Sequence, residues 1–265
     1  MPQHIRPVFA ANWKMNVGPT AAAAFVETFL AAVPLASNGT VILFPSALAL
    51  SSVRDGLVLH EDVPDGLVLR RDIRLGVQNI HAEEKGAFTG ENSAAIAADA
   101  GAEFVLVGHS ERRHVFGETD AETARKCARA VEHGLVPVLC VGETIDQRER
   151  GETEHVVLHQ LRTGLSSLSH DAVADVIIAY EPVGAIGTGR TATPDDAAVV
   201  HRVIRAALVE LVGEPGRAIP ILYGGSVTPA NAAVLLGADQ VDGVLVGGAS
   251  LEPASWAAIC SAGTR

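Results

Sequence analysis

Cysteine is scarce in this sequence. Among 265 residues only Cys127, Cys140 and Cys260 are cysteine, and no two of them have the spacing C-x-x-C. A small, odd number without that spacing argues against a disulfide scaffold and against a zinc site built from cysteines. The predicted compartment is therefore the reducing cytosol.

Long basic runs and long apolar runs are also missing. No run of Lys and Arg exceeds two residues, and 31 acidic against 20 basic residues give a net charge of −11 with histidine neutral. Nucleic-acid binders usually show a basic patch, so this class is disfavoured. No apolar stretch reaches the length of a membrane span, and residues 1–10 do not have the pattern of a signal peptide. We predict a cytoplasmic protein with no nucleic-acid or membrane partner. Because its net charge is negative, it can bind an anion only at a site whose local groups override the overall field.

What the sequence does contain is an alternation of short β-branched runs with longer alanine-rich segments. Continuous apolar runs of this length are typical of parallel strands that are buried on both faces. The strand candidates are residues 8–11, 41–44, 75–78, 104–108, 136–141, 176–180, 219–223 and 243–246. The helix candidates are residues 20–32, 93–100, 119–132, 153–168, 194–211, 229–236 and 253–258, with a weaker one near 47–53.

Eight strands that alternate with helices over this length predict an α/β fold, a single closed (β/α)8 barrel domain spanning residues 1–265; a doubly wound sheet is the alternative. The pentad DGLVL occurs at residues 55–59 and again at 65–69. Two copies are too few for a solenoid, so residues 54–72 are interpreted as a surface insertion, with a small hairpin as one form of it.

Helix signals support several of these boundaries. Thr119 with Glu122 has the capping-box spacing, and Thr193 and Thr228 each precede a proline, which is favoured at the first helical position. Gly134 and Gly237 follow predicted helix ends, where a left-handed residue is expected.

In a barrel the chemistry lies on the loops that follow the strands. Asn12 and Lys14 follow the first strand, His109 the fourth and Glu181 the sixth. Each side chain has two interpretations. Lys14 either neutralises an anionic substrate or is a surface lysine, and His109 is either a neutral hydrogen-bond donor or a structural residue. Glu181 is either a general base or an acid held in an ion pair.

Glycine-based loops follow the last three strands, at residues 187–189, 223–226 and 246–249. Barrels often bind phosphate in these late loops through backbone N–H groups, and glycine allows close approach. These candidates comprise a base, a neutral hydrogen-bond donor, a lysine and a phosphate-binding site. Together they indicate proton abstraction next to a carbonyl in a small phosphorylated substrate. The residues alone reach that class and no further.

Seven segments resemble the signature segments of the triosephosphate isomerase family, in the same order and along nearly the whole chain. They are residues 12–16 (NWKMN), 86–91 (GAFTGE), 108–113 (GHSERR), 180–183 (YEPV), 185–189 (AIGTG), 223–227 (YGGSV) and 246–250 (VGGAS).

The resemblance implies a cofactor-independent aldose–ketose isomerase of glycolysis and gluconeogenesis, without a metal, that interconverts dihydroxyacetone phosphate and D-glyceraldehyde 3-phosphate through an enediolate. It implies that Glu181 moves the proton, that His109 and Asn12 bind the enediolate oxygens, and that Lys14 supplies positive charge. It further implies supporting roles for Ser110 and for Glu111 behind Lys14, a lid at residues 182–190, and a homodimer through residues 86–91. The implied phosphate-binding amides are those of Gly187, Ser226, Gly247 and Gly248.

The chain departs from the family pattern at a few positions. Gly184 stands where the family normally has tryptophan in the hinge of the lid, and Arg190 stands where lysine is usual. The stretch 54–72 is longer than the family needs. None of these departures removes a catalytic side chain, but Gly184 predicts a lid that closes less favourably.

Three other interpretations of the sequence remain open. One is a different phosphate-binding barrel isomerase, against which Asn12, Lys14, His109 and Glu181 argue together. Another is a binding protein that retains the pocket but has an impaired lid. The last is a metal enzyme that uses His155 and His159 at helical spacing, for which an exposed helix face is the alternative.

Overall fold

The computed structural model describes residues 6–33, 39–58, 73–182 and 193–263. Eight parallel strands close into a barrel in the order of the chain, with β8 paired to β1. The predicted (β/α)8 fold is therefore confirmed. The strands are β1 (Val8–Asn12), β2 (Thr40–Phe44), β3 (Ile73–Val77), β4 (Phe104–Val107), β5 (Val136–Val141), β6 (Ile177–Tyr180), β7 (Ile221–Tyr223) and β8 (Gly243–Val246).

Helices connect the strands and surround the barrel. In the described part of the chain they are α1 (Pro19–Ala32), α2 (Leu50–Val58), α3 (Ala94–Asp99), α4 (Ser110–His114), α5 (Asp120–Glu132), α6 (Ile145–Glu149), α7 (Thr153–Leu165), α8 (His170–Val173), α9 (Pro194–Val212), α10 (Ala232–Leu236) and α11 (Pro253–Ser261). No helix among the described residues is long and apolar enough to cross a bilayer.

The strands are buried on both faces because two apolar layers meet at the barrel wall. Side chains point alternately inward and outward along a strand. In β1, Val8 and Ala10 belong to the cluster inside the barrel, whereas Phe9 and Ala11 belong to the larger cluster between the strands and the helices. This double burial explains why the strands read as continuous apolar runs rather than as alternating ones.

Most of the predicted helix signals are present. The side chains of Thr119 and Thr193 each accept a hydrogen bond from the backbone three residues on, in complete capping boxes. Gly134 has φ +73°, the left-handed conformation expected after α5.

Two local predictions are wrong. α10 begins at Ala232 rather than at Pro229, because the Thr228 N–H donates to Asn231 Oδ1 at 2.7 Å and forms a turn before the helix. Gly237 has φ −83°, so this short helix ends without a left-handed residue.

The predicted insertion at residues 54–72 begins inside helix α2, whose last residue is Val58. Gly56 lies against α1, since a Cβ there would be 3.1 Å from Val26 Cγ1. Residues 59–72, including the possible hairpin, lie outside the described residues, as do Gly184, Gly187 and residues 183–190 of the predicted lid.

Candidate functional site

The interior rows of side chains lead directly to the candidate site. In β1 the inward positions Val8 and Ala10 continue to Asn12, and in β6 the inward positions Ile177 and Ala179 continue to Glu181. A side-chain period of two therefore turns both polar groups into the mouth of the barrel at the carboxyl ends of the strands. Both residues are buried, Asn12 at 4% and Glu181 at 2% exposure.

A cavity of about 330 Å³ opens at this end of the barrel. Four predicted side chains share its wall: Asn12, Lys14, His109 and Glu181. The rest of the lining comes from the loops after β7 and β8 together with Leu245: Gly224, Gly225, Ser226, Val227, Thr228, Gly247, Gly248 and Ala249. Polar and ionisable side chains therefore form one side of the cavity, and glycine-rich backbone forms the other.

Glu181 is held by two hydrogen-bond donors. The Ser110 N–H donates to Glu181 Oε2 at 2.8 Å, and His109 Nε2 lies 3.0 Å from Glu181 Oε1. Burial raises the pKa of the Glu181 carboxyl, but His109, the Ser110 N–H and Lys14 together outweigh burial and hold that pKa below its ordinary value. The carboxylate is therefore ionised and available to accept a proton.

The partners of His109 favour one tautomer of its ring. The Glu111 N–H points at His109 Nδ1 at 3.2 Å, so Nδ1 accepts and Nε2 carries the proton. Burial lowers the pKa of His109, but the charge of Glu181 and its hydrogen bond to the ring outweigh burial and raise that pKa above its ordinary value. A second proton on Nδ1 would have to displace the Glu111 N–H, so this contact opposes protonation of the ring whereas the charge of Glu181 favours it.

Lys14 occupies an unusual backbone conformation, with φ +52°. The Asn12 side chain accepts the Lys14 N–H at 3.0 Å, and Gln78 Nε2 donates to the Lys14 carbonyl at 2.8 Å. The Lys14 ammonium is 2.7 Å from Glu111 Oε1. A left-handed non-glycine residue persists only where its surroundings hold it, and here two side-chain amides do so.

Glycines leave space for Glu181. A Cβ on Gly142 would lie 1.8 Å from the Glu181 carbonyl oxygen, and a Cβ on Gly224 would lie 2.8 Å from Glu181 Cγ. Any other residue at either position would displace the main chain or the side chain of Glu181.

Three of the four predicted phosphate-binding residues are among the described residues. Ser226, Gly247 and Gly248 line the cavity, and Gly248 begins a short 3₁₀ turn at Gly248–Ser250. Gly187 lies outside the described residues.

Sequence reasoning missed the amides of Gln78 and Gln160. Gln78 was expected to end a strand, but it follows β3 and donates to the carbonyls of Lys14 and Phe44. Gln160 contacts the backbone of Gly142. The one signal for Gln160 was its place in the buried stripe of α7 between Val157 and Leu161, where an apolar residue is expected.

The alternative metal site finds little support. The rings of His155 and His159 lie 6.5 Å apart, and His159 Nε2 is 3.4 Å from Asp120 Oδ2, whose carboxylate already binds Arg113. Within the described ranges no group of three His, Cys, Asp or Glu side chains is arranged to hold a metal ion.

Comparison with known proteins bears on the whole chain. A family model described as triosephosphate isomerase matches residues 7–263. The triosephosphate isomerase of Symbiobacterium thermophilum is 43% identical over 257 residues, covering 97% of this chain and 96% of that protein. That of Chloroflexus aurantiacus is 45% identical over 251 residues, covering 94% and 96%. The crystal structure of triosephosphate isomerase from Bartonella henselae superimposes with a TM-score of 0.83 at 36% identity, covering 97% of this chain and 99% of that one.

Proposed function

The chain belongs to the triosephosphate isomerase family and interconverts dihydroxyacetone phosphate and D-glyceraldehyde 3-phosphate, and we propose that Glu181 is the base of this reaction. One observation carries the assignment. Glu181 is a buried carboxylate on the wall of the cavity, and its lowered pKa keeps it ionised and able to accept a proton. Ionised and shielded from water, it is suited to remove a proton from carbon.

The proposed reaction moves a proton between two neighbouring carbons of the substrate. Glu181 takes the proton from the carbon beside the carbonyl, the C–H electron pair forms the C–C double bond, and the carbonyl oxygen becomes the enediolate oxygen. A proton moves between the two oxygens, and Glu181 returns its proton to the neighbouring carbon. The products follow without a redox partner, because one carbon is oxidised as its neighbour is reduced. The proposed reaction uses only a base, hydrogen-bond donors and a positive charge, and it needs no cofactor.

His109 and Asn12 are the proposed donors to the enediolate oxygens. Both line the cavity, and with Nδ1 accepting the Glu111 N–H the His109 ring carries a proton on Nε2. Once Glu181 has accepted the substrate proton it is neutral and no longer raises the pKa of His109, so burial then favours the uncharged ring. Donors aimed at the position where charge develops stabilise the transition state more than the ground state.

Lys14 and the glycine-rich loops are proposed to bind the anionic parts of the substrate. Lys14 is the cavity's ammonium group, and Glu111 holds it at 2.7 Å. The backbone amides of Gly187, Ser226, Gly247 and Gly248 are the proposed phosphate ligands. Such a cradle gives an acidic protein a local site for an anion.

Glu181→Gln tests the assignment of the base. This change keeps the shape of the side chain and removes its basicity, so turnover should fall by about 10² to 10⁴-fold while KM changes little. A coupled isomerase assay on the purified protein measures both constants. A Gln variant with most of its activity would assign the base to another group.

A homodimer is proposed as the working form. Met15 is 96% exposed and Ile96 is 59% exposed, and both line a second cavity of about 350 Å³ behind Lys14. Phe88 at the tip of the 86–91 loop is 41% exposed and packs against the His81 ring in a tilted arrangement, with a 4.1 Å centroid distance. The loop of a second copy would cover the apolar wall, which is costly to leave in water.

Sedimentation of Met15→Asp tests the dimer, with Val199→Asp as a control because Val199 is exposed on α9, outside this cavity. We expect the wild type and the Val199 variant to sediment as dimers at micromolar concentration and the Met15 variant as a monomer. A monomeric wild type would contradict the proposal. The cytoplasm is the proposed compartment, on the cysteine usage alone.

A further inference from the structure

We infer that Gln160 is a positioning residue of the isomerase, which fixes the base Glu181 through the backbone of Gly142. The inference rests on the proposed role of Glu181. Gln160 lies on α7, outside the barrel, and does not line the cavity.

The Gln160 amide forms two hydrogen bonds to a single residue. Its Oε1 accepts the Gly142 N–H at 2.8 Å, and its Nε2 donates to the Gly142 carbonyl at 3.2 Å. Gly142 directly follows the last residue of β5. A side-chain amide has the same donor and acceptor as a peptide group, so Gln160 pairs with Gly142 as a neighbouring strand would.

Gly142 transmits this constraint to the base. The β5–β6 register pairs Val141 with Tyr180, and its continuation places Gly142 beside Glu181. The Glu181 N–H donates to the Val141 carbonyl at 2.8 Å, and a Cβ on Gly142 would come within 1.8 Å of the Glu181 carbonyl oxygen. The main chains of Gly142 and Glu181 are thus in direct contact, so movement of one requires movement of the other.

The setting of Gln160 indicates that this pairing is what the side chain does. Val157, Leu161 and Leu165 of the same helix are buried apolar residues, and Gln160 lies in their stripe with 8% exposure. An amide buried in an apolar layer is unfavourable unless both of its ends are hydrogen-bonded. Here both ends bind Gly142, and the end of β5 beside the base is held where the strand ladder has stopped.

Loss of this support should affect the chemical step more than binding. A base displaced by a fraction of an ångström transfers a proton less efficiently, whereas three of the four proposed phosphate ligands lie on the loops after β7 and β8. Gln160→Leu, which keeps the size but not the hydrogen bonds, should lower kcat about 10 to 100-fold and leave KM within about threefold.

Val157→Ala is the matched control. Val157 is fully buried one turn away on α7 and has no polar side chain, so its truncation destabilises the same helix without removing a hydrogen bond to Gly142. With melting temperatures recorded for both variants, a kcat loss in the Gln160 variant but not in the Val157 variant supports positioning. Equal kcat values in the two variants, at wild-type level or equally reduced, would overturn it.

Gln160→Glu tests the positioning role if Gln160→Leu does not fold. Burial raises the pKa of a carboxyl, and the neutral acid still both donates and accepts, whereas the carboxylate cannot donate to the Gly142 carbonyl. The ratio of its kcat to the wild-type kcat should therefore fall at least about tenfold between about pH 6 and about pH 10. A constant ratio would overturn the inference. Glu181→Gln is measured alongside: if that variant stays active the proposed base fails, whereas if only the Gln160 variants stay active, the positioning role fails.

Discussion

The Ser110 N–H and the Glu181 carboxylate are joined by a 2.8 Å hydrogen bond across the mouth of the barrel. Ser110 is the first residue of α4, and the N–H groups of a helix's first turn have no partner inside the helix. The proposed base is therefore held by a backbone donor that the fold supplies, and every substitution at Ser110 except proline leaves that donor in place.

Ser110→Pro should raise the pKa of Glu181. Proline is tolerated at the first helical position, and His109, with φ −51° and ψ 143°, already has the extended conformation that precedes proline. The variant removes one of the donors that lower the pKa of Glu181, so the carboxylate protonates at higher pH. We expect the acidic limb of the kcat/KM profile to move to higher pH.

Ser110→Ala is the control for this prediction, because it keeps the N–H and loses only the hydroxyl. Its acidic limb should coincide with that of the wild type. If both variants shift equally, the hydroxyl rather than the N–H sets the pKa of Glu181.

The sequence was sufficient to predict the barrel and the four charged or polar side chains of the cavity. Asn12 and Glu181 each follow a buried strand, and a closed barrel brings the carboxyl ends of its strands to one edge. That rule places residues far apart in the sequence around one cavity, without any knowledge of side-chain contacts.

The supporting amides could not be predicted in the same way. Gln78 contacts the carbonyl of Lys14, 64 residues away, and Gln160 contacts Gly142. Both bind backbone atoms, which every residue has, so no pairing of side-chain types marks the contact. The errors at Thr228 and Gly237 have a similar cause, because in both places the local signal was present and another hydrogen bond was formed. The Asn231 side chain accepts the Thr228 N–H, and the Ala238 N–H donates to the Leu235 carbonyl while Gly237 keeps a negative φ.

Gly224→Ala should impair catalysis by displacing the base. The added methyl would lie 2.8 Å from Glu181 Cγ and 3.1 Å from the Tyr180 carbonyl, and the Gly224 N–H is fixed to that carbonyl at 2.7 Å. The Glu181 side chain must then move, and we expect kcat to fall by about 10². Gly18→Ala is the control, because a Cβ there meets nothing within 4 Å. A Gly224 variant with wild-type kcat would mean that Glu181 tolerates a shifted position.

Gln78→Leu should weaken catalysis through Lys14. Gln78 Nε2 donates to the carbonyls of Lys14 and Phe44, at 2.8 and 3.0 Å, and so holds the left-handed conformation at Lys14. Without it we expect kcat/KM to fall about tenfold. The check is a double-mutant cycle with Lys14→Ala. The Gln78 change should add little once the lysine is gone, whereas full additivity would show that Gln78 acts by another route.

A buried ion pair between Lys126 and Glu118 is expected to stabilise the fold near His109. Lys126 Nζ lies 2.5 Å from Glu118 Oε2, and both side chains are almost fully buried. Glu118 also accepts the Gly108 N–H at 3.0 Å, next to the histidine, and is 3.2 Å from Arg112 Nε. Removing one partner of such a pair leaves a buried charge with too little compensation.

Lys126→Met should therefore lower the free energy of unfolding by about 3 to 5 kcal/mol. Adding Glu118→Gln removes the stranded charge but keeps an oxygen that can accept the Gly108 N–H, so the double variant should be more stable than Lys126→Met alone. Urea unfolding at one fixed protein concentration measures both, since association would shift the apparent stability. A double variant less stable than Lys126→Met would mean that Arg112 alone compensates Glu118, and that the lysine stabilises the fold by packing.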